Sequence, residues 1–241
     1  MIRRENVIKR FIMGMSVLTA YIYYTGNLNM HDINISAEQF MCDLLNILYN
    51  MDLKNANNVT YNNSGYDLIS ENKKIIIQVT VTDTPEKIIR TLNTIKHKVF
   101  EYSEWTEKLR EIRVQKKLDP STYTSKVQDD EKKIRSKLAE NVNLNDYTLY
   151  FMVMKQDATM QRKYKGENNQ GYVCIDEVNF DKKNIWDFST LINKVNSISE
   201  ISSNGEDDLL TEINHFMDKN INVFGICLLY TSPSPRDGAT S

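Results

Sequence analysis

The chain has 241 residues, of which 41% are apolar, so it can build one domain of ordinary size or two small ones around a real core. Its 30 Lys and Arg residues nearly balance its 32 Asp and Glu residues, so the overall charge does not favour nucleic acid as a partner, and any basic surface must be local. The three cysteines and three histidines lack metal-ligand spacing, which argues against a zinc site or a disulfide framework and favours a cytoplasmic location.

Two helices are predicted at the N-terminus. Apolar residues recur at helical spacing from Val7 to Ile22, and the apolar stretch is too short to span a membrane, so we expect a buried amphipathic helix and no membrane association. Ser36 at an N-cap position, with Gln39 three residues later as in a capping box, predicts the start of a second helix that ends near Asn50.

A β-hairpin and a third helix are predicted after an asparagine-rich loop over residues 54–65. The predicted hairpin has strands at residues 67–70 and 75–81, joined by the polar turn Glu71 to Lys74. Thr84 followed by Pro85 then predicts an N-cap and the first residue of a helix that ends near Tyr102.

The charged segment 104–141 has a break at Asp119 and Pro120, which predicts two solvated helices inserted into a core formed by residues 1–102 and 146–200. Within and after that second core segment we expect two strands followed by two helices, at Tyr147–Met154, Gly171–Ile175, Ile185–Val195 and 207–219. The predicted fold is one α/β domain over residues 1–226, with a mixed sheet flanked by helices.

The last residues differ in composition from the rest of the chain. From Cys227 the sequence turns to Ser and Pro and looks like a translated sequencing adapter, so we expect residues 227–241 to lie outside the native protein. We therefore expect the native chain to continue differently after Ile226.

The predicted hairpin brings polar side chains together. Alternation along its second strand places Gln78 and Thr80 on one face. Pairing Ser70 with Ile75 then places Asp67 opposite Gln78, with Cβ atoms roughly 5 Å apart. A carboxylate, an amide and a hydroxyl are oxygen ligands that suit a hard divalent cation.

Residues on two helices can add to this cluster. Glu38, in the first turn of the second predicted helix, can supply another carboxylate, and Lys87, with Thr91 at i+4, can place a cation over a scissile phosphate. Structural alternatives stay open for each residue. Asp67 can be a turn or strand-start residue that is hydrogen-bonded to the loop, and Glu38 can be a carboxylate that interacts with the helix dipole. The Gln78 amide can form its hydrogen bonds with Asn46 or with the asparagine-rich loop.

Several segments carry a resemblance to a known family. The runs Ser36–Phe40, Gly65–Ile69, Ile77–Thr80 and Glu86–Ile88 resemble the bacterial SMEK domain, and Asn184–Phe188 resembles that family's second helical segment. The resemblance implies an association with defence-type systems and brings no established reaction with it.

More distantly, the pattern is similar to the PD-(D/E)xK nucleases, which implies a restriction-endonuclease-like fold and hydrolysis of phosphodiesters with Mg²⁺ or Mn²⁺. The resemblance implies that Asp67, Gln78 and Glu38 hold the metal. Thr80 stands where that superfamily has its lysine, so Lys87 would have to supply the charge from the helix. Thr80, Thr91 and Asn46 are further candidates for the site.

Two functions follow as hypotheses. The first is a metal-dependent nuclease, or a nuclease-derived component of a bacterial defence system, that acts on DNA or RNA at Asp67, Gln78, Glu38 and Lys87. The second is a non-catalytic adaptor with the same scaffold that docks a partner protein, which the departure at Thr80 favours.

Overall fold

The computed structural model describes residues 4–26, 31–58, 65–156, 158–160, 180–198 and 206–231. In these ranges the protein is α/β, with six α-helices and five strands. The helices are α1 (Arg4–Gly26), α2 (His31–Tyr49), α3 (Pro85–Leu118), α4 (Ser125–Glu140), α5 (Phe188–Ser197) and α6 (Glu206–Thr231). The strands are β1 (Lys54–Asn55), β2 (Leu68–Ser70), β3 (Ile75–Thr80), β4 (Thr148–Val153) and β5 (Ile185–Trp186).

The five strands form one mixed sheet in the order β1-β2-β3-β4-β5. The first three strands are antiparallel, and Ser70 pairs with Ile75 as predicted. Strands β3, β4 and β5 are parallel. A parallel pair needs a crossover connection, and α3 and α4 lie in the connection from β3 to β4. The predictions of an α/β fold and a mixed sheet are confirmed.

The pleat of the sheet divides the core into two layers. Ile77 faces a layer built with α1, α2, α5 and α6, whereas its neighbour Ile76 faces a layer built with α3. Successive side chains of a strand point to opposite faces, so an apolar run such as β3 requires helices on both sides. The central strand β3 is therefore buried on both faces.

The N-terminal helices pack on the first layer. In α1, Phe11 and Leu18 are fully buried, which confirms the predicted buried helix. Gly14 allows α1 to approach α6 closely, since an added Cβ would lie 2.8 Å from the Met217 Sδ atom. No helix in the described ranges is long and apolar enough to cross a membrane.

The predicted start of α2 is wrong. The helix begins at His31, so Ser36 lies inside it and is not its N-cap. The i, i+3 spacing of a capping box also occurs between side chains inside a helix. Here the Gln39 amide donates to Asp43 Oδ1 at 2.8 Å, four residues further along α2.

The predicted end of α3 is also wrong. Thr84 and Pro85 start the helix as expected, although the Thr84 side chain makes no capping hydrogen bond, and the helix then continues for 34 residues to Leu118. No Gly or Pro interrupts it after Pro85, and Leu109 keeps its apolar face buried beyond the expected end near Tyr102. The first half of the predicted insertion is thus an extension of α3.

The break after α3 is confirmed, and α4 returns antiparallel to α3. Asp119 caps a short 3₁₀ turn, where its Oδ1 accepts from the Ser121 N–H at 3.0 Å. We call residues 104–141 the helical arm. On α4 the helical arm carries the buried residue Glu131, whose carboxylate accepts from the Tyr123 hydroxyl at 2.6 Å and from Arg135 Nε at 2.9 Å. These two donors lower the pKa of Glu131.

The C-terminal half confirms two predicted elements and corrects one. Strand β4 and helix α6 lie where they were predicted, and α6 continues to Thr231, inside the segment expected to be foreign. Ile185 belongs to β5 and not to a helix, because Asp187 starts α5 with a capping box to Thr190. The predicted strand at residues 171–175 lies outside the described residues.

The packing of α1 gives a first prediction. Leu18→Ala is expected to lower the free energy of unfolding by about 2–5 kcal/mol, because it leaves a cavity in a fully buried position. Met13→Ala on the same helix, 57% exposed, is the control and is expected to cost less than about 0.5 kcal/mol. Urea denaturation measures both, and equal effects would contradict the described packing of α1.

Candidate functional site

The candidate site lies toward the C-terminal end of β3. Asp67 immediately precedes β2, which is antiparallel to β3, so Asp67 sits beside the second half of β3. Strand β4 runs parallel to β3 on the other side. Ligands of open α/β sheets bind outside the carboxyl ends of parallel strands, so this is a position where a site is expected.

Asp67 and Gln78 are in direct contact. The Asp67 N–H donates to the Ile77 carbonyl at 2.9 Å, which holds Asp67 against β3. Gln78 Nε2 donates to Asp67 Oδ2, and the Val79 N–H donates to the same oxygen at 2.8 Å. The contact predicted from the hairpin register is confirmed.

The same geometry leaves two oxygens available. Gln78 Nε2 also donates to the Val79 carbonyl at 3.1 Å, so both N–H groups of the amide are engaged. Within the described part of the chain, neither Asp67 Oδ1 nor Gln78 Oε1 takes part in a hydrogen bond. Asp67 is only 9% exposed and Gln78 only 7%, so these are acceptors in a nearly buried position.

Glu38 approaches Asp67 from α2. The Asn57 side chain donates from Nδ2 to Glu38 Oε2 at 2.8 Å. Burial raises the pKa of Glu38, and this effect outweighs the opposing influence of the neighbouring amides of Asn57 and Asn55. The Glu38 charge in turn acts on Asp67.

Asp67 is the most perturbed carboxyl group of the site. Burial raises the pKa of Asp67 to about 7, with a further contribution from the negative charge of Glu38. The hydrogen bond from the Val79 N–H and the positive charge of Lys87 oppose this shift. Lys87 is half-buried in the first turn of α3. The structure therefore brings together Asp67, Gln78, Glu38 and Lys87, which we call the Asp67 cluster.

The other candidates have different surroundings. Thr80 is buried on the same strand as Gln78, and its Oγ1 accepts from the Thr82 N–H at 3.0 Å. Thr91 is buried on α3. Asn46 is not part of the cluster, because it binds the Leu53 backbone, with its Nδ2 donating at 2.9 Å and its Oδ1 accepting at 2.7 Å. The alternative in which Asn46 satisfies Gln78 is wrong.

Sequence analysis missed two residues that adjoin the cluster. Asn55 is 3% exposed and lies on β1 opposite Leu68, and Asn57 donates to Glu38. Both fall in the segment interpreted only as an asparagine-rich loop. The density of asparagine was the available signal, but a strand of two residues has no periodicity that would show which asparagines point inward.

The donor set fits a hard divalent cation in a site that substrate and water would complete. No group of three or more His, Cys, Asp or Glu side chains in the described ranges is arranged to hold a metal. The Asp67 cluster offers two carboxylates and one amide oxygen. Magnesium is typically bound by one or two carboxylates together with waters and phosphate oxygens, so a cation at this position would need substrate and water as further ligands.

Comparison with known families identifies the chain over more than half of its length. Residues 10–142 match the SMEK domain, and this segment contains every member of the Asp67 cluster. The chain belongs to the SMEK domain family. No curated protein and no solved structure gives a significant match. The SMEK match ends before Asn184–Phe188, so the resemblance stated for that segment stays a prediction, as does the similarity to nucleases.

The pKa of Asp67 predicts how stability depends on pH in the metal-free protein. The pKa is about 7 in the folded state, against an ordinary value of 3.8, so the folded state holds this proton more tightly. The free energy of unfolding should therefore fall as the pH rises from about 4 to about 7. Asp67→Asn should remove this decrease and stabilise the protein at pH 8 by on the order of 4 kcal/mol.

Chemical denaturation at pH 5 and pH 8 measures this effect. Asp130→Asn, an exposed carboxylate on α4, is the matched control and should leave the pH dependence of the wild type intact. A pH dependence that persists unchanged in Asp67→Asn would show that Asp67 has an ordinary pKa.

Proposed function

We propose that the protein is a divalent-metal-dependent nuclease, or a nuclease-derived component of a defence system, that hydrolyses phosphodiesters of nucleic acid at the Asp67 cluster. The observation that carries the proposal is that the nearly buried carboxylate of Asp67 feels the charge of the half-buried Glu38 and lies beside a Gln78 amide oxygen that makes no hydrogen bond within the described ranges. Mg²⁺ and Mn²⁺ are the cations that such oxygen ligands favour.

Electrostatics support a cation at this position. Proteins normally pair buried charges, because an uncompensated buried carboxylate is costly and takes up a proton instead. Lys87 compensates only part of the negative charge, since the pKa of Asp67 stays near 7 despite it. A doubly charged cation would stabilise the ionised forms of both Asp67 and Glu38.

Each member of the cluster then has a definite role. Asp67 and Glu38 would hold the cation, and Gln78 would orient Asp67 through its nitrogen while offering its oxygen as a ligand. When bound, the cation polarises the scissile phosphate and lowers the pKa of a water molecule. Lys87, at the positively polarised N-terminus of α3, would stabilise the negative charge that develops on the phosphate.

A second candidate function rests on Thr80. A threonine whose hydroxyl accepts from the Thr82 N–H cannot supply the positive charge of the missing lysine. If Lys87 does not replace that charge, the scaffold would act as a non-catalytic adaptor. The helical arm, whose α4 has Glu131 as its one buried residue, offers an extended surface for a partner protein.

Cleavage assays test the nuclease. Wild-type protein is expected to cleave supercoiled DNA or single-stranded RNA in the presence of Mg²⁺ or Mn²⁺. Asp67→Ala and Glu38→Ala should each lower the rate at least about 100-fold, because either change removes a charged ligand. Asp130→Asn, far from the cluster in sequence and exposed, is expected to retain the wild-type rate.

Calorimetry with Mn²⁺ at pH 8, where Asp67 is ionised, separates the two candidate functions. If the protein binds Mn²⁺ but cleaves no substrate, the nuclease hypothesis is wrong and the metal site is supported. Neither binding nor cleavage by folded wild-type protein would contradict the metal site as well and favour the adaptor.

Lys87 gives a further prediction. Lys87→Met is expected to lower kcat by about 100-fold, because it removes a charge that acts on the transition state, and to leave Mn²⁺ affinity within a few-fold of wild type. Lys87→Arg should keep part of the rate. Lys96→Met, exposed on the same helix, is the control. A wild-type kcat in Lys87→Met would remove Lys87 from the mechanism.

A further inference from the structure

Two asparagines connect the two carboxylates of the Asp67 cluster. We infer that Asn55 and Asn57 are positioning residues that hold the Glu38 carboxylate beside Asp67. Neither side chain was among the residues predicted for the site. The expected consequence for cation binding rests on the proposed function, whereas the contacts themselves do not.

The backbone between the two asparagines is fixed to β2 and to Asp67, the residue before it. Asn55 pairs with Leu68 across β1 and β2. The Ala56 N–H donates to the carbonyl oxygen of Asp67 at 2.8 Å. A short 3₁₀ turn begins at Ala56 and includes Asn57, so the segment between the two asparagines is hydrogen-bonded to the backbone of Asp67.

The side chains of this segment reach across to α2. Asn57 Nδ2 donates to Glu38 Oε2 at 2.8 Å. The Asn57 N–H donates to Asn55 Oδ1 at 3.0 Å, which fixes the orientation of the Asn55 amide and directs its nitrogen away from Asn57. The connection from Glu38 to Asp67 is therefore made through three consecutive residues.

Asn55 Nδ2 is a donor with unused capacity. Asn55 is 3% exposed, and its Nδ2 makes no hydrogen bond in the described part of the chain. The amide nonetheless lies near enough to Glu38 to lower the pKa of that carboxyl. A buried N–H group without a hydrogen-bond partner costs free energy. A small rotation of the Glu38 side chain would let its carboxylate accept from Asn55 Nδ2 as well as from Asn57 Nδ2.

Such support matters because Glu38 has a flexible side chain on a helix surface. Without the asparagines, the carboxylate is free to turn toward water, and cation binding would carry the entropic cost of immobilising the Glu38 side chain. Carboxylates that bind metals are themselves held by hydrogen bonds, and loss of an outer partner commonly costs 10–100-fold in metal affinity. The charge of Glu38 acts on Asp67, and the charge of Lys87 acts on Asp67 in the opposite sense.

The first test is Mn²⁺ binding to the full chain by calorimetry at pH 8. Asn57→Ala and Asn55→Ala are each expected to weaken binding at least about tenfold. Asn46→Ala is the matched control, because Asn46 lies on α2 and makes two hydrogen bonds to Leu53 outside the cluster. It should lower the melting temperature and leave Mn²⁺ affinity unchanged. Wild-type affinity in folded Asn57→Ala would overturn the inference.

The second test needs no metal. The side-chain ¹⁵N–¹H signals of Asn57 should shift when Glu38→Ala removes the acceptor of its Nδ2, and those of Asn55 should shift because the neighbouring carboxylate is lost, whereas the signals of Asn46 should not shift. If they shift but wild type binds no Mn²⁺, the positioning role stands and the proposed function fails. If neither signal shifts, the inference is wrong whatever the protein binds.

Discussion

The site depends on one hydrogen-bonded contact across the hairpin, in which Asp67 Oδ2 accepts from the Gln78 side chain and from the Val79 N–H. This contact requires the pairing of Ser70 with Ile75, because strand register decides which side chains share a face. A slip of one residue would carry Gln78 to the opposite layer of the core. The apolar side chains of β3 on both faces therefore determine the geometry of the polar site, which contacts the backbone of Ile77 and Val79.

Sequence patterns predicted the part of the site that lies within regular elements. The four-residue turn and the β-branched run of β3 set the hairpin register, and Asp67 and Gln78 follow from it. The ends of the helices were harder to predict. Helix α2 begins before the capping-box signal at Ser36, and α3 continues past the expected end near Tyr102. The role of Asn57 could not be predicted from the sequence, because it arises from contact with Glu38, which lies 19 residues earlier in the chain on α2.

The residues that match the SMEK domain do not include every strand of the sheet. The matched residues 10–142 supply the cluster and the helical arm, but the sheet is completed by β4, which begins at Thr148. β4 packs beside β3 along the whole of that strand and makes it a central rather than an edge strand. The chemical groups thus belong to the matched segment, while their burial depends on residues that follow it.

Burial and charge together argue that Asp67 does more than complete local hydrogen bonds. If its only task were to accept from Gln78 and Val79, an uncharged Asn could accept the same hydrogens without the cost of a buried charge. A second carboxylate at Glu38 increases that cost, and Asn57 holds Glu38 in place instead of letting it turn to water. An arrangement that concentrates negative charge where the dielectric is low loses stability in the isolated chain. On the proposed function, a bound cation would offset this cost, because the same low dielectric would strengthen its attraction to both carboxylates.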